Sequence, residues 1–440
     1  MTDEAFFDFL PAVIDGRKSD MSSKLQFLPT SRRRFLQGTG AAIASAALSA
    51  PAIAQSKQLT IISNRGNADQ RKALESIAKA FGDSNGVTVT VNNMDHEAHK
   101  TAIRNYLVAS PPDVCFWFSG SRMRSFVDKG LFEDISDLVQ REKYADVLGA
   151  TLGSVTVDGK QYGLPTGGIL WGLFYRQDTF DQFGLSVPKT FDDFFTLAEQ
   201  SRKAGIIPMS MGTKDQWPCG GWFDHMNLRI NGLQHHMDLM AGKVKYTDPS
   251  LKDVFDKWEQ LIKADFFTPN GTSFAWDPAA ASLVQKKAAM MDLGNFIKYA
   301  FPPEDLQHVR FAPFPTIKAG VEQFEDFSVD SIHLPSGSKN KELAREFLAF
   351  FYKPENLSAY LSPEGNVPAR SDCAIGDDPI LKMAVEEMKK VKGTAQYYDR
   401  DSDPDLALAG LKGFQEFMVK PDRREQILTQ IERTRQRIHG

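Results

Sequence analysis

From Leu59 onward the chain alternates short apolar runs with amphipathic stretches. Leu59–Ser63 (LTIIS) reads as a buried strand, and residues 67–82 follow with Leu74, Ile77, Ala78 and Phe81 on one face of a predicted helix. Val87–Val91 (VTVTV) predicts a second strand. A helix over about 97–109 ends at Pro111-Pro112, and Asp113–Phe118 (DVCFWF) predicts a third strand that stops at Ser119-Gly120. The alternation restarts at Gly172–Tyr175 and continues through a helix at about 190–204 and a strand at Pro208–Met211. A long, mostly helical stretch covers about 215–265. Strands at Lys287–Leu293 and Phe327–His333 follow, and the last hundred residues are mostly helical. Such alternation predicts a mainly parallel α/β sheet. Two α/β regions with no flexible linker between them imply several chain crossings and a cleft. Ligands of open parallel sheets sit beyond the carboxyl ends of the strands. That rule points to Asn64–Gly66, Asp95–His96 and Trp117–Gly120, with Ser119 among them.

Composition narrows the function more than the fold. The 440 residues give ample core for two or three domains. Net charge is −4 with acids and bases interspersed, and no basic stripe offers itself to a phosphate backbone. Nucleic acid is therefore not an expected partner. Cys115, Cys219 and Cys373 are too few and too odd in number for a disulfide framework, and they lack zinc-site spacing. No cofactor is expected.

The N-terminal region reads as a cleavable export signal. Ser31-Arg32-Arg33-Arg34-Phe35-Leu36 precedes a weakly apolar run and then Pro51-Ala52-Ile53-Ala54. SRRRFL resembles the twin-arginine consensus. Cleavage is expected after Ala54, with Met1 or Met21 as the start and the periplasm as destination.

One stretch concentrates chemistry. Gly212–His225 (GTKDQWPCGGWFDH) holds two tryptophans, a cysteine, a histidine and two acids. Cys219 has no partner in a C-x-x-C arrangement, which argues against redox work. His235 and His236, which follow His225, project about 100° apart on a helix, so those two cannot share one ligand face, which argues against a metal. Asp215 and Asp224 offer an acid–base pair of the glycosidase kind. Asp399–Asp405 resembles a calcium loop but has Pro404 and Gly410 where the glycine and closing acid belong, so Asp403-Pro404 reads better as a helix start.

Five segments carry a family resemblance. They are PPDVCFWFSGSRMRSFVDKGLFEDISDL (111–138), GKQYGLPTGGILWGLFYRQDTFDQFGLSVPKTFDDF (159–194), KKAAMMDLGNF (286–296), SGSKNKELAREFLAFF (336–351) and NVPAR (366–370). Their content and order resemble the extracellular solute-binding proteins of ABC sugar importers, the maltose-binding-protein family. The resemblance implies a two-lobe α/β fold (type II, Venus flytrap) with hinge strands and a central cleft that closes over a sugar. It implies crossings near Pro165–Thr166, Met290–Asp292 and Asp330–Ile332. The resulting division is leader 1–54, first lobe 55–165 and 291–331, and second lobe 166–290 and 332–440. The implied partners are a carbohydrate and the membrane permease, with the chain a monomer and no catalysis.

Sugar rings have apolar faces and polar rims, so flat aromatic side chains and polar groups suit such a cleft. Trp258 shares a helical face with Leu251, Val254, Phe255, Leu261 and Ile262 and reads as core. Trp117, Trp171, Trp217, Trp222 and Trp276 are the stacking candidates. Asn64, Gly66, Asp95, His96, Ser119, Asp224, Asn295, Asp330 and Arg370 are the polar ones. Phe296, Gly120 and Ile169 depart from maltose-binding protein, and the sugar is left open. The rival readings are an exported carbohydrate-active enzyme and a binder of a non-sugar solute.

Overall fold

β1 (Lys57–Ser63) pairs in parallel with β2 (Val87–Asn93) and β3 (Val114–Phe118). The computed structural model describes residues 57–440. The expected signal at 31–54 lies outside the described residues. Helix α1 (Ala68–Asn85) joins β1 to β2. It starts where the Asn67 side chain accepts from the N–H groups of Asp69 and Gln70, and it stops at Gly86, whose φ of +63° a side chain would oppose. Helix α2 (His96–Ala109) starts the same way on Asp95.

β4 (Leu164–Arg176), β5 (Ile207–Ser210), β6 (Ala288–Gly294), β7 (Val309–Ala312) and β8 (Glu325–His333) extend the sheet. Its order is β2-β1-β3-β8-β4-β6-β5, with β7 on the end of β4. All thirteen residues of β4 are buried. Its first half pairs antiparallel with β8 and its second half with β6 and β7. β8 in turn pairs antiparallel with β3 through Asp330–His333. The sheet is thus mixed, not mainly parallel: it is parallel at both ends and antiparallel in the middle, where β4 and β8 carry the chain between the ends. These two strands approach closely. A Cβ added at Gly168 of β4 would lie 1.8 Å from the Phe327 ring of β8.

Separate cores cover the two ends. The first gathers Leu59, Leu74, Phe81 and Phe116 with Phe347, Phe351 and Tyr360. The second gathers Phe194, Trp222, Phe223 and Trp258 with Phe414, Phe417 and Ile431. The long helical stretch forms α3 (Trp217–Met240, kinked at Gly232) and α4 (Pro249–Lys263), followed by α5 (Trp276–Val284). Later come α6 (Lys341–Phe351), α7 (Pro354–Leu361), the single turn α8 (Tyr398–Asp401), α9 (Pro404–Val419) and α10 (Arg424–His439). Asp403 caps α9 with Pro404 at its first position, so the calcium look-alike is a helix start.

This packing redraws the expected lobe boundaries. β6 and β7, within 288–312, pair with the outer half of β4 and belong with the second end. Met290–Asp292 is therefore not a crossing. Leu334 and helices α6 and α7 pack into the first core, whereas α9 and α10 pack into the second. The segment 332–440 is shared between the ends because α6 and α7 cover the face of the sheet on which α1 lies, with Phe81 against Phe347 at 5.3 Å.

Candidate functional site

A cavity of about 730 Å³ opens between the two ends of the sheet. One wall is built where first-end strands stop: Asn64 to Asn67 after β1, Asp95, His96, Glu97 and Lys100 at the start of α2, and Phe118 at the end of β3. The facing wall is aromatic. It comprises Trp171 on β4, Trp217 and Trp276 at the starts of α3 and α5, Phe296 just after β6, and Tyr397 before α8. Their rings form one cluster. Trp171 lies 4.2 Å from Tyr397 and 5.8 Å from Trp217, and Trp276 lies 5.1 Å from Phe296. Hydrogen bonds fix the rings. Trp171 Nε1 donates to Ser328 Oγ at 2.9 Å, and Tyr397 Oη accepts from Gly221 N at 2.9 Å and donates to the Trp217 carbonyl at 2.5 Å. Trp217 is delivered by a turn in which Gln216 takes a φ of +65°.

The base of the cavity is charged and internally paired. Asp330 on β8 accepts from Arg65 and from Arg400, each at 2.6 Å. Arg65 also donates to Tyr360 Oη at 2.9 Å and lies 3.4 Å from Glu364. The Arg400 guanidinium stacks 4.3 Å from the Phe118 ring centre. Lys100 meets Asp399 at 3.2 Å. Burial works against the Asp330 charge, but Arg400 and Arg65 outweigh it and hold the carboxyl below its usual value. His96 keeps 39 % of its side chain exposed. The desolvating walls, with Lys100, Arg400 and Arg65, push it down to about 3, so its imidazole is neutral and able to donate and accept at once. Asn64 is buried, yet its Oδ1 has no hydrogen-bond partner among the described residues. A polar group entering the cavity would satisfy it.

Seven of the expected residues meet here: Asn64, Gly66, Asp95, His96, Trp171, Trp217 and Trp276. The others lie elsewhere. Successive strand residues point to opposite faces, so Phe118 reaches the cavity while Trp117 packs inward on Phe126 and His99. Ser119 is buried and donates to the Val329 carbonyl. Trp222 is fully buried among Phe194, Phe266, Phe267 and Phe314. Five residues along a helix amount to about 140° of rotation, which turns it away from the side that Trp217 presents. Asn295 accepts from Leu170 N at 2.8 Å and donates to the Gly365 carbonyl, tying the end of β6 to β4. Asp330 stands behind the wall, and Arg370 pairs with Asp372 at 2.7 Å and donates to the Tyr352 carbonyl. Arg65 falls inside the Asn64–Gly66 strand end that the sequence points to, but it is not among the polar candidates named there. Nor are Asp399 and Arg400, which sit on a single turn with no periodicity to mark them.

Asp224 leaves the cavity altogether. It is buried in the second core, where its Oδ2 accepts from Tyr398 N at 2.7 Å. It therefore does not share the cavity with Asp215, and the proposed acid–base pair is not assembled. Asp326 of β8 lies beside it, with both oxygens unpartnered among the described residues, and His225 meets Asp292 at 3.2 Å nearby. Among the described residues, no group of three or more His, Cys, Asp or Glu is placed to hold a metal ion. Burial and the neighbouring Asp326 push Asp224 well up, and burial pushes Asp326 up to about 7. A carboxyl raised on folding contributes stability that is full below its unfolded pKa of about 3.9 and is lost as pH rises through its folded value. Asp326→Asn is therefore expected to gain on the wild type as pH climbs from about 4 to about 7. Urea denaturation across that range measures the gain, and a difference that stays constant with pH would count against a proton held between the two acids.

Residues 67–357 match the family model described as bacterial extracellular solute-binding protein. The chain belongs to this family. An uncharacterised ABC transporter extracellular-binding protein of Pyrococcus horikoshii is 24% identical over 290 residues, 64% of each chain. A second from that organism is 29% identical over 269 residues, 59% of this chain and 58% of its own. The chain thus spans about three fifths of the length of these two relatives. A probable sugar-binding periplasmic protein of Mesorhizobium japonicum is 24% identical over 309 residues, 67% of this chain and 71% of its own. Among solved structures, the bacterial solute receptor AcbH, with its exclusive preference for β-D-galactopyranose, superposes at a TM-score of 0.82. It is 29% identical, over 88% of this chain and all of that one. A chitin oligosaccharide binding protein shares the fold at a TM-score of 0.79 and 19% identity, over 86% of this chain and 98% of its own. The two-lobe architecture of these solute-binding proteins is the architecture of residues 57–440. Among the described residues no helix is long and apolar enough to cross a membrane.

Proposed function

We propose that this chain is the carbohydrate-binding component of an ABC importer. The observation that carries the reading is the cavity itself, with an aromatic wall on one side and neutral His96, Asn64 and paired charges on the other. Stacked aromatic rings cover the apolar face of a sugar, while the opposite wall meets its hydroxyls. The cavity of about 730 Å³ lies in the range of small-ligand sites and suits a mono- or oligosaccharide. Two lobes, carried on β4 and β8 as hinge strands, close over the sugar, and the permease recognises the closed form. The first lobe comprises the β1–β3 end with α6 and α7, and the second comprises the β5–β7 end with α9 and α10. The protein acts as a monomer, without catalysis or cofactor. It reaches the periplasm by the twin-arginine route and is cleaved after Ala54.

The test is calorimetric titration against neutral mono- and oligosaccharides. Failure to bind any of them would overturn the reading. Trp217→Ala is expected to weaken binding of the best sugar about tenfold or more, equivalent to about 1.4 kcal/mol. Its melting temperature should fall less than that of Trp222→Ala. Unchanged affinity would remove Trp217 from the stacking wall.

A further inference from the structure

We infer that the cavity selects uncharged sugars, tolerates amino sugars and turns away sugar acids. The inference rests on the carbohydrate reading above and adds a ligand charge to it. Six carboxylates line the cavity: Asp95, Glu97, Asp215, Asp277, Glu364 and Asp399. Only four cations do so: Arg65, Lys100, Lys214 and Arg400. His96 is neutral, so the lining carries a surplus of negative charge.

Placement matters more than the total. Arg65 and Arg400 share Asp330, Arg65 also faces Glu364, and Lys100 holds Asp399. Every cation deep in the cavity is thus already matched. A carboxylate brought in by a sugar acid would meet in Arg400 a guanidinium that already gives Nη1 to Asp330 at 2.6 Å, so the positive charge it finds there is largely offset. Lys214 is exposed at the rim, next to Asp215. The acids are less committed. Asp215 and Asp277 adjoin the stacking residues Trp217 and Trp276, and no cation lies within ion-pair distance of either among the described residues. A ring stacked on these tryptophans carries its rim past both carboxylates. They accept hydroxyl hydrogens, attract an ammonium and repel a carboxylate.

The experiment is calorimetric titration of the whole secreted protein. D-Glucose, D-galactose and their two- and three-residue oligomers identify the tightest neutral ligand. Its uronic acid and 2-amino counterparts are then compared at low and at physiological salt. The uronic acid should bind about tenfold or more weaker than the neutral sugar, and the amino sugar comparably to it. The uronic acid's handicap should shrink with added salt, because the acids stand near the rim. In Asp215→Asn/Asp277→Asn the ratio of uronic acid to neutral affinity should rise several-fold, even if both ligands bind more weakly. Equal binding of the uronic acid by the wild type overturns the inference and leaves the carbohydrate reading standing. A handicap that neither salt nor the double variant alters is steric and overturns it as well. No binding of any sugar removes the reading and the inference together.

Discussion

Asp330→Ala is expected to destabilise the protein by about 3–5 kcal/mol, because it leaves buried guanidinium charge without its counterion. Asp330 is 2 % exposed and is the carboxylate that Arg65 and Arg400 share. After the change Arg65 retains Glu364 at 3.4 Å and Tyr360, but among the described residues Arg400 retains no carboxylate within ion-pair distance and keeps the face of Phe118. Asp330→Asn keeps one acceptor and should cost less. The pH dependence separates a charge effect from a packing effect. The Asp330 pKa is depressed in the folded protein, so its contribution is present above the unfolded value of about 3.9 and is lost as pH falls through the folded value. The gap between wild type and Asp330→Ala should stay flat from pH 7 to pH 5 and narrow only below about pH 4. Chemical denaturation at each pH measures it. A gap under about 1 kcal/mol at pH 7, the range of a surface ion pair, would mean that water reaches these groups. The site would change too, because an unmatched Arg400 at the cavity base should let a sugar acid bind better than it does to the wild type.

How much of this was legible in the chain depends on the range of the signal. Strand and helix periodicity is local, so β1 to β3, β5, β6 and β8 stand within a few residues of the runs at 59–63, 87–91, 113–118, 208–211, 287–293 and 327–333. The strand-end rule then locates Asn64, Gly66, Asp95 and His96 in the cavity. Three tryptophans follow because each begins a helix or lies on β4 at the cleft. The misses share a cause. Trp222 and Asp224 belong to a helix buried on all sides over Pro218–Ile230, where polar and apolar positions alternate without marking a solvent face. Trp117 and Phe118 differ only in which face of β3 they occupy, and a strand buried on both faces gives no alternation to read. Asp330, Arg65 and Arg400 come from positions 65, 330 and 400, and nothing local announces that they converge. The exchange of α6 and α7 to the first core is equally non-local, decided by Phe81 meeting Phe347.

The tryptophans give the sharpest division between fold and site. Trp222→Ala and Trp258→Ala are each expected to cost about 3–5 kcal/mol, the range for emptying a large buried aromatic position. Both side chains are fully buried. Trp222 is held by four phenylalanines from the second core, including Phe267 at 4.9 Å and Phe314 at 5.0 Å. Trp258 lies against Phe255, Phe414 and Phe417, with its Nε1 3.1 Å from Met418 Sδ, and so fastens α4 to α9. The two should nevertheless differ in what else they disturb. Trp222 is on α3 one residue beyond Gly221, whose N–H donates to the Tyr397 hydroxyl on the aromatic wall. Its loss should loosen that wall and weaken sugar binding even in molecules that remain folded. Trp258 does not line the cavity and its aromatic neighbours lie on α4 and α9, so Trp258→Ala should keep wild-type affinity in its folded fraction. Thermal melts paired with calorimetric titration below the melting range make the comparison. Equal losses of affinity in both variants would show that the second core moves as one body with the site, and a Trp222→Ala protein of wild-type stability would place that ring outside the core.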